Sequence, residues 1–71
     1  QSIEAYKKAI AIKPDYVDAY NNLGVTLKAQ DGLEEAIEAF SKALTLKHDY
    51  VEAYNNLGIV LRAQGKLEEA I

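Results

Sequence analysis

Tyr-Asn-Asn-Leu-Gly occupies residues 20–24, and the same five residues return at 54–58. The interval is 34 residues, and the repetition extends far beyond the motif. Aligned at this offset, Val17–Ile37 and Val51–Ile71 are identical at 15 of 21 positions. Three of the six differences, Asp18/Glu52, Val25/Ile59 and Lys28/Arg62, keep charge or shape. Further back, Gln1–Tyr16 matches Glu35–Tyr50 at eight of 16 positions. Every residue therefore belongs to one 34-residue period. A unit recurring at such an interval is one supersecondary element that buries its apolar face only by stacking on its neighbours.

Each unit reads as two helices. In the first, Tyr20, Leu23 and Leu27 fall at i, i+3 and i+7 and form one apolar face. Asp18 lies in its first turn and Lys28 near its end, signs that suit the helix dipole. Ala29–Gly32 and Ala63–Lys66 each carry a residue able to take a positive φ and are expected to stop the helix. The second helix places Leu33, Ala36, Ile37, Phe40, Ala43 and Leu44 on one face. Its outer face carries the i, i+4 pairs Glu38/Lys42 and, one period earlier, Glu4/Lys8. It ends at Lys13-Pro14-Asp15 in one copy, where proline cannot continue a helix, and at Lys47-His48-Asp49 in the other. The reading is helix, tight turn, helix, repeated.

Composition agrees with this reading and removes several function classes. An apolar fraction of 49% against 27% charged residues is that of a folding chain, not a disordered one. A net charge of −3 gives no steering towards nucleic acid or an anionic membrane. No apolar run approaches the roughly 20 residues that a bilayer requires, and no leader pattern opens the chain. Without cysteine there is neither a disulfide framework nor thiolate chemistry. Compartment is undetermined, with the cytoplasm as the default expectation.

Tyr20, Leu23, Gly24, Leu27, Ala36, Phe40 and Ala43, echoed by Tyr54, Leu57, Gly58, Leu61 and Ala70, resemble the spaced pattern of the tetratricopeptide repeat. Ala9 and Pro14 fit the end of the preceding copy. The resemblance covers the whole chain. It departs from the pattern at His48, which stands where proline is usual, and at Asp31-Gly32, which reverses the usual order of glycine and polar neighbour. It implies an all-α, right-handed solenoid of antiparallel helix pairs whose function is non-catalytic protein interaction. The expected divisions are 1–16, the second helix of a partial repeat; 17–50, one complete repeat; and 51–71, a first helix with the start of its second.

The resemblance also assigns roles. Gly24 is expected where the two helices of a unit cross most closely, against the small Ala36, with Gly58 and Ala70 as the corresponding pair. The asparagines are not explained by burial, since they lie off the Tyr20, Leu23, Leu27 face. In such arrays the first helices line a concave groove, and Asn22 and Asn56 are expected to project there, with Asn21 and Asn55 as lesser contributors. An asparagine amide offers two donors and an acceptor and pairs with both polar groups of an extended peptide backbone. Paired asparagines at this phase resemble the asparagine ladder of O-linked N-acetylglucosamine transferase repeats. Alternatively they bond to the neighbouring helix and fix the repeat spacing. Val25 and Ile59 would supply apolar floor, Asp18 and Glu52 an acidic rim, and Lys28 and Arg62 a basic one, although the dipole alone also accounts for the charges. A chaperone-type carboxylate clamp does not fit: Asn21, Asn55, Asp18 and Glu52 stand where basic residues belong, and Val25 where a clamp asparagine belongs.

No cofactor is expected and no reaction chemistry is legible. His48 is the only histidine, which rules out a histidine-based metal set within the chain, and it suits a helix end. Ser2 reads as a helix-contact residue in the place of Ala36, and Ser41 has no base at triad spacing. Glu34, Glu35 and Glu38, like Glu68 and Glu69, read as solvated carboxylates at a helix start. The first and last residues both align within second helices, and 71 residues are two periods plus three. The chain is thus expected to be a segment of a longer solenoid, and a second reading follows: copies stack or swap end to end, so that the partner is another copy of the same chain.

Overall fold

A computed structural model describes the backbone of residues 2–70 and the side chains of residues 2–65. Four α-helices follow one another: α1 Ile3–Ile12, α2 Val17–Ala29, α3 Leu33–Leu46 and α4 Val51–Ala70. α1 packs on α2, α2 on α3 and α3 on α4, while α2 also touches α4. This places α2 and α4 in one layer and α1 and α3 in the other. The Cα atoms span 41 × 26 × 14 Å, and the shortest extent is that of two helices in contact.

Local chemistry sets the helix ends. Ser2 does not act as a helix-contact residue; it is exposed and caps α1, its hydroxyl accepting from the Ala5 N–H at 3.2 Å. The ends of α1 and α3 are alike despite the proline-to-histidine exchange. Lys13 N–H donates to Ala9 C=O and Lys47 N–H to Ala43 C=O, both at 2.9 Å. Tyr16 and Tyr50 then close turns onto the carbonyls of Lys13 and Lys47 at 3.0 and 3.2 Å. Proline at this turn is compatible but not required.

Between α2 and α3 the chain reverses through a Schellman motif. The Gly32 N–H bonds to Leu27 C=O at 2.8 Å, and the Asp31 N–H to Lys28 C=O at 3.0 Å. Asp31, not Gly32, takes the left-handed conformation, with φ 63°, which aspartate tolerates better than most residues. The altered order of the two residues therefore leaves the turn intact.

The second expected stop is not used. α4 continues from Val51 to Ala70 through Ala63–Lys66, and Gly65 has no positive φ. The turn after α2 is rewarded by α3, which buries Ala36, Ala39, Phe40 and Ala43.

The core lies among α2, α3 and α4: Leu23, Leu27, Ala36, Ala39, Phe40, Ala43, Ala53 and Val60. Phe40 is fully buried, and its ring occupies the space over Gly24. A Cβ built on Gly24 would stand 2.5–2.7 Å from three ring carbons. The three heavy atoms nearest such a Cβ all belong to Phe40 rather than to the expected Ala36, which is buried in the same core. Gly58 has no atom within 4 Å of such a Cβ, so the corresponding contact is not made, and the side chain of Ala70 lies outside the described residues. Ala53 and Val60, at i and i+7, attach α4 to α3 by a different face from the one that α2 offers α3.

Candidate functional site

The candidate surface is the face shared by the two first helices, α2 and α4. Its centre is a side-chain bond across them: Asn56 Nδ2 donates to Asn21 Oδ1 at 3.2 Å. Asn21 is only 4% exposed, which corrects the reading that burial does not account for it. With neighbours in α1, α3 and α4, α2 buries an arc wider than the one face marked by Tyr20, Leu23 and Leu27. A buried amide is tolerable only when paired, and Asn56 supplies the pair. Among the described residues no buried side-chain polar atom lacks a partner.

A second bond spans the same helices. The Tyr50 hydroxyl donates to Asp18 Oδ1 at 2.8 Å, so Asp18 is engaged by its neighbour. Burial, then the hydrogen bond to Asp18 and its charge, push the Tyr50 hydroxyl up to about 12 from the ordinary 10.0. The Lys47 ammonium lies 5.6 Å from the Tyr50 ring centroid, and Lys13 repeats the arrangement over Tyr16 at 5.4 Å. Sequence reasoning passed over Tyr50, although Tyr16 and Tyr50 share one register and could have signalled a repeated role.

The Tyr50 bond carries a pH signature. The unfolded chain loses this proton near pH 10, whereas the folded chain holds it to about 12. Its contribution is complete below pH 10 and is lost as pH rises towards 12. Tyr50→Phe is expected to lower stability by about 1 kcal/mol at neutral pH and to lose less between pH 10 and 12 than the parent, as read by urea unfolding at each pH. Parallel curves would show that the hydroxyl is not coupled to folding.

The remaining residues of this face are free of the fold. Asn22 and Val25 are exposed on α2, and Glu52, Asn55, Ile59 and Arg62 on α4, while Lys28 is half-buried. Val25 and Ile59, at 40% and 50% exposure, set an apolar side chain from each helix beside the asparagines. The four asparagines therefore divide: Asn21 and Asn56 bind helix to helix, and Asn22 and Asn55 meet solvent.

Two concavities flank α2. Between α1 and α3, Lys7, Glu38 and Lys42 rim a groove of about 450 Å³ floored by Tyr20, Leu23 and Leu27. Between α1 and α2 lies a cleft of about 330 Å³ lined by Ala5, Tyr6, Ala9, Tyr16, Ala19 and Asn22. Among the described residues no three of His, Cys, Asp and Glu are grouped to hold a metal ion, and no helix is long and apolar enough to cross a membrane.

No curated protein matches the chain. A family model described as TPR repeat matches residues 1–31 and again 29–65. Those two matches span most of the chain and fall on the helix pairs α1–α2 and α3–α4. The chain therefore belongs to the TPR repeat family, whose members mediate protein–protein interaction and are generally non-catalytic scaffolds.

Proposed function

We propose that this protein binds an extended peptide or protein segment along the face formed by α2 and α4. The observation that supports it is the pair of exposed aliphatic side chains, Val25 and Ile59, each beside an unengaged asparagine, Asn22 and Asn55, on adjacent helices. Packed helices lie about 8–10 Å apart, which is about three residues of extended chain at roughly 3.3 Å each. One helix spacing thus matches a three-residue step of the ligand, and the repeat can contact it periodically. Asn22 has both donors and its acceptor available. Asn56 uses one donor on Asn21 and keeps its oxygen and second N–H for a ladder of the kind that the transferase resemblance suggests. Glu52 and Arg62, at opposite ends of α4, would select the ligand's charge pattern.

A library of displayed 12-residue peptides is the probe. Val25→Asp with Ile59→Asp is expected to weaken selected peptides about tenfold or more, since each loses apolar contact of about 1 kcal/mol or more, with helicity unchanged. Selected peptides that bind the double variant as well as the parent would show that this face is not the site.

A second reading, self-association, is favoured by α4. Tyr54 and Leu61 are 55% and 49% exposed around the open Gly58, whereas their counterparts Tyr20 and Leu27 are half-buried and buried.

A further inference from the structure

α1 and α3 lie in one layer, yet among the described residues they make no contact with each other; both rest on α2. The gap between them is the groove of about 450 Å³, with α2 as its floor and a second helix as each wall. A helix stacked beyond α1 or beyond α4 would lie outside this gap, not in it. The groove is also separate from the α2–α4 face. Asn22 stands two residues from Tyr20, and Val25 two residues from Leu23 and Leu27, about 200° around the helix in each case.

The walls are charged, and the charges are segregated along the groove. Lys7, Glu35, Glu38 and Lys42 are all exposed. α1 and α3 occupy the same place one period apart, so Lys7 aligns with Ser41 and stands near the level of Lys42 on the facing wall. Glu38 and Glu35 precede Lys42 by four and seven residues, about 6 and 10.5 Å along the helix axis. One end of the groove is therefore basic from both walls, and the other is acidic.

Floor and wall share one spacing. Tyr20, Leu23, Leu27 and Glu35, Glu38, Lys42 both run i, i+3, i+7, in steps of about 4.5 and 6 Å. A ligand helix laid along the groove repeats those steps, whereas same-face residues of an extended strand are about 6.6 Å apart. The charges also fix its direction. Parallel to α3, it would need bases in its first turn and acids in its last, against its own dipole. Antiparallel to α3, it carries acids in the first turn beside Lys7 and Lys42, and bases in the last turn beside the glutamates. That order is the one the dipole favours.

We infer that the groove between α1 and α3 is a second docking surface, which takes an amphipathic helix of a partner protein running antiparallel to α3. Its acidic first turn pairs with Lys7 and Lys42, its apolar stripe lies on Tyr20, Leu23 and Leu27, and its basic last turn pairs with Glu35 and Glu38. This surface is on the opposite side of α2 from the proposed peptide face, so the two partners bind together.

Two labelled peptides of about 14 residues, roughly 21 Å as helices, are the probes. Both carry the same leucine stripe and a staple on the opposite face, so that their helicity is equal. One has two glutamates in the first turn and two lysines in the last; the other has them exchanged. By fluorescence anisotropy against dilute protein, the first is expected to bind at least tenfold more tightly. The preference is expected to invert in a variant of parental helicity carrying Lys7→Glu, Lys42→Glu, Glu35→Lys and Glu38→Lys. Equal binding of the two peptides, an unchanged preference in the variant, or no binding of either would overturn the inference. Amide shifts in the labelled protein supply a second arm. They are expected to centre on Lys7, Leu23 and Lys42. Shifts centred on Val25 and Ile59 would overturn the inference while leaving the proposed α2–α4 face standing.

Discussion

Phe40→Ala is expected to abolish cooperative unfolding or to shift the urea midpoint almost to zero. The ring is fully buried at the junction of α2 and α3, and truncating a buried phenylalanine costs about 3–5 kcal/mol. A chain of 71 residues has a total stability on the order of 4–11 kcal/mol, so one substitution removes much of it. The rest of the core is mainly small: apart from Leu23, Leu27 and Val60, its buried members are alanines. These allow close helix approach but contribute little area each. Tyr6, at the same register one period earlier, is half-buried beside an open cleft, and Tyr6→Ala is expected to cost less than half as much. Equal losses for the two would show that the ring at this register contributes through its own helix, independent of the partner beneath it.

Gly24→Leu is expected to be comparably severe for the opposite reason. A Cβ at this position would stand 2.5–2.7 Å from Phe40 ring carbons, and that ring is fully buried. Even alanine requires the ring or the helices to shift, at about 1–3 kcal/mol for overpacking, partly offset by about 1 kcal/mol of gained helix propensity. Leucine adds three further heavy atoms to the same contact. Gly58 is the internal control. With open space around it, Gly58→Ala keeps only the propensity gain and is expected to stabilise a dilute, unassociated chain by up to about 1 kcal/mol. Two glycines in an identical five-residue motif thus respond with opposite sign. Thermal unfolding of both alanine variants at low concentration checks this, and destabilisation of the same size at the two positions would refute the steric role of the ring. Combining Gly24→Leu with Phe40→Ala should be less harmful than the sum of the two, because leucine enters volume that the ring leaves. Strict additivity would mean that the residues do not share one space.

Much of the architecture was legible because a repeat states its own rules twice. The 34-residue offset, the Tyr20, Leu23, Leu27 spacing and the Ala36, Phe40, Ala43 spacing define two amphipathic helices in the complete unit, and those helices form as α2 and α3. The glycine reads as a packing residue from its position, and the atoms that stand nearest to it are those of the Phe40 ring. Spacing identifies which residues share a face, and it does not show which of several side chains on the facing helix reaches across the gap. The asparagines were less legible for a related reason. An apolar face read from one helix marks only one contact, whereas α2 touches three other helices. Asn21 enters the buried arc by virtue of Asn56 on α4, 35 residues further along the chain. The Asp18–Tyr50 bond is equally long-range, spanning 32 residues.

Sequence by itself determined the period, the helix pairs, the small-residue interface and the absence of a histidine- or cysteine-based centre, because these follow from residue identity and spacing along a single helix. Tertiary structure decided which copy of each repeated residue is used. Gly24 is filled by Phe40 and Gly58 is open, Asn21 is buried and Asn55 exposed, and the turn forms after α2 but not within α4. The local sequences are almost the same in each pair. What differs is the neighbour: close packing and paired polar groups stabilise a conformation only where another helix is present to complete them.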